Sequence, residues 1–160
     1  MTTFDLVNVR WRPARNDDTV DINPRAVVHV TSFDKDTGEF VVSRPTADNQ
    51  LLSLAVNYVV TLPAGSSGLI SFDWPNWARY SGASPSAGAI LGTEAGDDGL
   101  KSGKFGFRCL CGADTPTQSV MVQPGGANTV TFVSTQCVDD VPTDTSVTLT
   151  FMYPVVVEEE

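Results

Sequence analysis

The chain has 160 residues, enough for one domain with a substantial core, and no break in composition divides it in two, so residues 1–160 are expected to form a single β-domain. Its formal net charge is −9, from 19 acidic and 10 basic side chains. A protein that follows a phosphate backbone over a large area is therefore a poor reading, and nucleic acid is not an expected partner. Thirteen Gly, ten Pro and only three Lys, with no stretch that repeats apolar residues at helical spacing over three turns, disfavour helices and predict an all-β fold.

No window approaches the roughly 20 apolar residues that cross a bilayer, and MTTFDLVNVRWRP lacks a signal-like apolar run. The expectation is a protein made and folded in a cytosol, with no membrane partner. Cys109, Cys111 and Cys137 are odd in number and not spaced as a disulfide framework, so reduced and buried thiols are expected.

In chain order, residues 3–12 alternate apolar and polar side chains and predict a first strand, followed by a loop from Pro13 to Pro24. Arg10, Arg12 and Arg15, with Trp11 and Pro13 among them, form a basic cluster in an acidic chain. A solvated strand end is the simpler reading; the functional one is that residues 1–15 are an extended arm with Arg10, Trp11, Arg12 and Arg15 as a docking candidate.

Arg25–Arg44 is the clearest hairpin. Two β-branched runs flank Asp34-Lys35-Asp36-Thr37-Gly38, where Asp34 can bond amides two residues on and Gly38 supplies a positive φ. Phe33 and Phe40 lie in register to stack across the pair.

After the loop Pro45–Gln50, Leu51–Pro63 reads as a long strand at the centre of a sheet. It has one large face (Leu52, Leu54, Val56, Tyr58, Val60) and one small face (Leu51, Ser53, Ala55, Asn57, Val59). A turn at Ala64–Gly68 and a short strand Leu69–Phe72 complete a second hairpin. Residues 73–106 read as one long, irregular, glycine-rich loop, which in a compact domain is functional or ordered by a neighbour.

FGFRCLCGA follows as a strand, with Phe105, Phe107, Cys109 and Cys111 on one face and Arg108 and Leu110 on the other. VMVQ, TVTFVSTQCV and SVTLTFMYPVVV are further strands, and residues 155–160 are a solvated end. About eight strands, with turns every eight to twelve residues, predict an antiparallel β-sandwich or jelly-roll-like barrel.

Catalytic and metal motifs fare poorly. Gly99–Lys104 lacks the earlier glycine and the Ser or Thr of a phosphate-binding loop. The single histidine, His29, lies inside a strand, and no Gly-x-Ser-x-Gly elbow occurs. Three cysteines and His29 could ligate a metal, but buried cysteines are the commoner outcome. Asp34–Glu39 departs from the spacing of a calcium loop, and Gly96–Gly99 offers at most a weak cation turn. No enzyme, cofactor or metal is expected.

The most site-like cluster is Phe72, Trp74, Trp77 and Tyr80, with Asp73, Asn76 and Arg79 between them. Flat rings stack on sugars while the polar neighbours satisfy hydroxyls, yet the same residue types make subunit interfaces. Trp74, Trp77, Arg79 and Tyr80 are thus an interface or glycan candidate, with interface or core favoured because tryptophans in soluble chains are usually covered.

LPAGSSGLISF, SGASPSAGAILGTEAGDDGLKSGKFGF and FRCLCGADTPTQSVMVQ, covering Leu62 to Gln123, resemble small β-rich structural proteins of tailed bacteriophages, such as capsid decoration proteins and head fibres. The likeness lies in a small-residue loop, a glycine rhythm and the strand that follows. The turn DKDTGEF is also similar to the Tyr-Asp-x-x-Thr-Gly-x-Phe element of trimeric complement- and tumour-necrosis-factor-like jelly rolls, with Phe33 in place of the tyrosine and without the Pro-Gly-x-Tyr that follows there. Neither likeness assigns a role to an individual residue.

The first resemblance implies a non-enzymatic virion protein, of decoration, cement or head-fibre type. It would bind the outside of a capsid through the N-terminal strand and the aromatic loop, as a homo-oligomer, with three copies favoured. A carbohydrate-binding receptor module of a phage fibre is the alternative.

Overall fold

The computed structural model describes residues 9–114, 118–125, 128–138 and 141–151. Among these there is no helix, and the all-β expectation holds. Five strands close a barrel: β1 (Arg12–Asn16), β2 (Val27–Asp34), β3 (Glu39–Ser43), β4 (Leu54–Asn57) and β5 (Ser67–Ser71), in the order β1-β3-β2-β4-β5. A second sheet has the order β6-β10-β9-β7-β8. Its strands are β6 (Asn76–Arg79), β7 (Ile90–Gly92), β8 (Lys101–Ser102), β9 (Gly106–Asp114) and β10 (Ser119–Gly125). A two-stranded ribbon pairs β11 (Asn128–Val138) with β12 (Val141–Phe151).

The hairpin at Asp34–Gly38 forms as its residues dictate. Asp34 Oδ1 accepts the amides of Asp36 and Thr37, the Gly38 amide donates to the Asp34 carbonyl, and Gly38 takes a φ of 74°. Phe33 faces Phe40 across β2 and β3, with ring centroids 4.8 Å apart.

β4 sits between β2 and β5, central as expected, and its two faces divide as the alternation predicts. Leu54 and Val56 join Val27 in a core shared with Ala78, Leu91, Phe107, Cys109, Val120 and Val122 of the second sheet and with Tyr80 and Leu100 beside it. Ala55 belongs instead to the barrel interior, with Ala14, Ile22, Ala26, Val28, Val42, Leu62 and Ile70. A sheet packs on one wall of a small barrel, and β2 and β4 are buried on both sides, so the adjacent valines Val27 and Val28 serve different cores.

Loops enter the barrel interior through two buried asparagines. Asn16 Nδ2 donates to the carbonyls of Val20 and Leu62, and Asn57 Nδ2 to those of Asn23 and Val60. Each amide replaces the water that those carbonyls lose on burial.

Several expectations are corrected. β1 and β3 pair in parallel, so the barrel is not wholly antiparallel. β1 runs through Pro13–Asn16, where a loop is expected, and most of the expected strand 3–12 lies outside the described residues. The strand expected over 51–63 shrinks to Leu54–Asn57, because Ser53 takes a φ of 59° and leaves Leu52 74% exposed.

The segment 73–106 is not one irregular loop. It contributes β6, β7 and β8, and Tyr80 bridges to Leu100. β12 begins at Val141, in a stretch read as a turn, so the ribbon is longer and its connection tighter than expected. The end at 155–160 lies outside the described residues.

Candidate binding surface

The entry to β1 is bound to the aromatic segment. The Arg10 amide donates to Asp73 Oδ2 at 2.6 Å, while Nε and Nη2 reach Oδ2 and Oδ1 at 3.2 and 3.1 Å. These bonds from Arg10 hold the Asp73 carboxyl below its ordinary range, and the charge of Arg12 adds to the effect. Trp11 packs edge-on against Tyr58 with ring centroids 4.8 Å apart. Two regions expected as separate contact surfaces, the N-terminal arm and the aromatic loop, are therefore one surface at this corner.

The same corner includes a mouth of the barrel. Arg12 pairs with Ile70, and Ala14 pairs with both Phe40 and Gly68. Since directly paired residues share a face, and so do residues two apart, Arg12 belongs to the row of the buried Ile70 and Ala14, at the end of the strand. Phe40, which packs on the barrel core, touches Phe33 at 4.8 Å and Phe72 at 4.9 Å between ring centroids. Phe33 is 53% and Phe72 37% exposed, and Arg12 is exposed.

Arg15 is committed elsewhere. Its Nη1 lies 3.0 Å from Asp34 and 3.4 Å from Glu39, bracing the hairpin turn, and Asp34 is held below its ordinary range first by this bond. Of the docking candidates, Arg10 and Arg15 are thus bound within the chain, Trp11 is half-buried, and Arg12 offers its charge outward.

The interface or glycan candidates are dispersed. Tyr80 is 5% exposed and belongs to the inter-sheet core, which corrects its place in a surface patch. Trp74 packs against that core, with its ring 5.1 Å from Phe107, beside a cis bond to Pro75. Strand alternation in β6 puts Ala78 in the core and Trp77 and Arg79 on the opposite face.

Arg79 works as a connector between the sheets. Its Nε is 3.3 Å from Asp98 Oδ1, and Asp98 Oδ2 accepts the Asn23 amide. The sequence pattern W-x-x-W-x-x-Y does not distinguish a platform from a core strand with its flanks, because Trp74 and Tyr80 go to the core and Trp77 to the opposite face.

Cys109 is buried in the core as expected, whereas the side chains of Cys111 and Cys137 lie outside the described residues. His29 sits on β2 opposite Ser43 and Leu54.

A cavity of about 400 Å³ lies between Asp18, Ser43, Arg44 and Gly96. Two of its charges are matched to each other: Asp18 accepts the Arg44 amide, Nε and Nη2, while Nη1 donates to the Gly96 carbonyl. The bond to Arg44 holds the Asp18 carboxyl far below its ordinary range.

The Phe33–Phe40–Phe72 cluster was missed as a surface in the sequence. Phe33 and Phe40 are legible as a cross-strand pair, but Phe72 reaches them only through closure of the barrel. Comparison of the chain with family models, with curated proteins and with solved structures finds no match.

Proposed function

We propose that this chain is a non-enzymatic structural protein of a virus particle, of the decoration, cement or head-fibre kind. It is made in the host cytoplasm and docks on the outside of a capsid. The observation that supports this reading is the barrel mouth: a stack of three phenylalanines, two of them well exposed, beside an outward arginine on a body of net charge −9. Aromatic rings and arginine are the side chains that dominate binding energy at interfaces, and the acidic remainder disfavours other orientations on a negatively charged partner. The three bonds from Arg10 to Asp73 hold the arm and the loop together as one docking foot.

Co-sedimentation with capsids lacking the protein tests the proposal. Wild type should pellet with the capsids. Arg12→Glu should weaken binding about tenfold or more, on the scale of a hot-spot side chain, with an unchanged thermal midpoint, and Phe33→Ser should weaken it as much with only a small fall in midpoint from the lost contact with Phe40. Failure of the wild type to pellet would end the reading. A tryptophan fluorescence response to millimolar glycan without capsid binding would favour the fibre receptor module instead.

A further inference from the structure

We infer that the β11–β12 ribbon is the oligomerisation element of this protein, and that its occupant is the same ribbon from two further copies, closed into a six-stranded barrel. Eleven consecutive residue pairs join the strands, from Asn128↔Phe151 to Val138↔Val141. Among the described strands, neither outer edge of the ribbon pairs with any other. A lone two-stranded ribbon is marginal in water, and an open edge is a template for another strand.

The register sorts the ribbon into two unlike faces. Val130↔Leu149 and Phe132↔Val147 share one face, while Thr129↔Thr150 and Thr131↔Thr148 share the other. One face near the base is apolar, and the opposite one is a ladder of threonines.

Charge argues for a second copy as the occupant. Two chains of net charge −9 repel each other wherever their acidic surfaces meet. The strands of the ribbon carry one charged residue, Asp144, so here copies can approach without that penalty. Nor do these edges carry the lysines with which proteins commonly block edge pairing, and the only proline, Pro142, lies at the tip.

Edge closure and the size of the interior together favour three copies. A threefold axis along the ribbon sets β12 of one copy beside β11 of the next, running antiparallel, so that every edge is used and the ring closes. The Val130, Phe132, Val147 and Leu149 face becomes the inner one, and the threonine ladder becomes the outer one. A twofold across the strands would leave one open edge on each copy, and a twofold along the ribbon would close only four strands, a ring too narrow to enclose the Phe132 and Leu149 rows, so three copies form the smallest ring that fits them. This inference concerns self-association alone and is independent of capsid docking.

Light scattering on the full chain over a dilution series tests it. The expected mass is three times that of one chain, and a monomer or dimer at every concentration overturns the inference. Phe132→Lys should abolish the trimer, since it sets three like charges inside the closed ring, whereas Thr131→Lys on the other face should retain it. Equal behaviour of the two variants also overturns it.

Tryptophan emission reports the integrity of the body, because Trp11, Trp74 and Trp77 all lie outside the ribbon. Should Phe132→Lys disturb that emission, hydrogen exchange on the wild type decides. Slow exchange along both outer edges, lost on dilution, supports the ring, and fast exchange at any concentration overturns it.

Discussion

Arg10 and Asp73, 63 residues apart, are joined by three hydrogen bonds that include the Arg10 backbone amide, so the chain's entry into β1 is fixed to the segment two residues beyond the end of β5. Asp18 with Arg44 repeats the device, the Arg44 amide included, and Asp34 accepts a single bond from Arg15; all three carboxyls are held below their ordinary range first by the arginine side chain. A folded-state pKa below the unfolded value, about 3.9 for Asp, stabilises the fold above that value. The contribution is lost as pH falls through the folded pKa. Thermal midpoints should therefore be flat near neutrality and drop below about pH 4. Asp18→Asn should have a lower midpoint at pH 7 and a shallower acid limb, and an unchanged limb would refute the assignment.

Ile70 is fully buried in the barrel interior. Ile70→Ala should cost about 2–5 kcal/mol in urea unfolding, because a five-stranded barrel has few side chains free to collapse into the space left.

Gly92 lies against the backbone of Phe105, where a Cβ would sit 2.2 Å from its carbonyl oxygen. Gly92→Ala must push β7 away from that segment and should cost about 1–3 kcal/mol by overpacking. A neutral result would mean that the two segments are not held this closely in solution.

Asn16→Ala would strip the Val20 and Leu62 carbonyls of their donor within a buried site. The expected loss is about 1–3 kcal/mol, larger than for an exposed asparagine. Faster hydrogen exchange at the Ile22 amide, which donates to the Leu62 carbonyl, would locate the damage.

Gly38 closes the β2–β3 turn at a φ of 74° with open space around it. Gly38→Ala should therefore cost about 1–2 kcal/mol from backbone conformation alone. Gly38→Asn should recover part of that loss, since asparagine tolerates the left-handed region.

Features governed by near neighbours were legible in the sequence. The hairpin at Asp34–Gly38, the pairing of Phe33 with Phe40, the large and small faces of β4 and the alternation of Phe107, Arg108, Cys109 and Leu110 all follow from strand period and turn chemistry. These act over a few residues. Tyr80 as core, Arg79 as a tie to Asp98 and Phe72 as part of the barrel mouth were not legible, and neither was the parallel pairing of β1 with β3. Each depends on which distant segment arrives beside the residue, and a local pattern of rings or charges reads the same on a surface as in a core. Closure of the barrel, which brings β5 against β1, decided that Arg10 meets Asp73 and that Phe72 completes the aromatic stack.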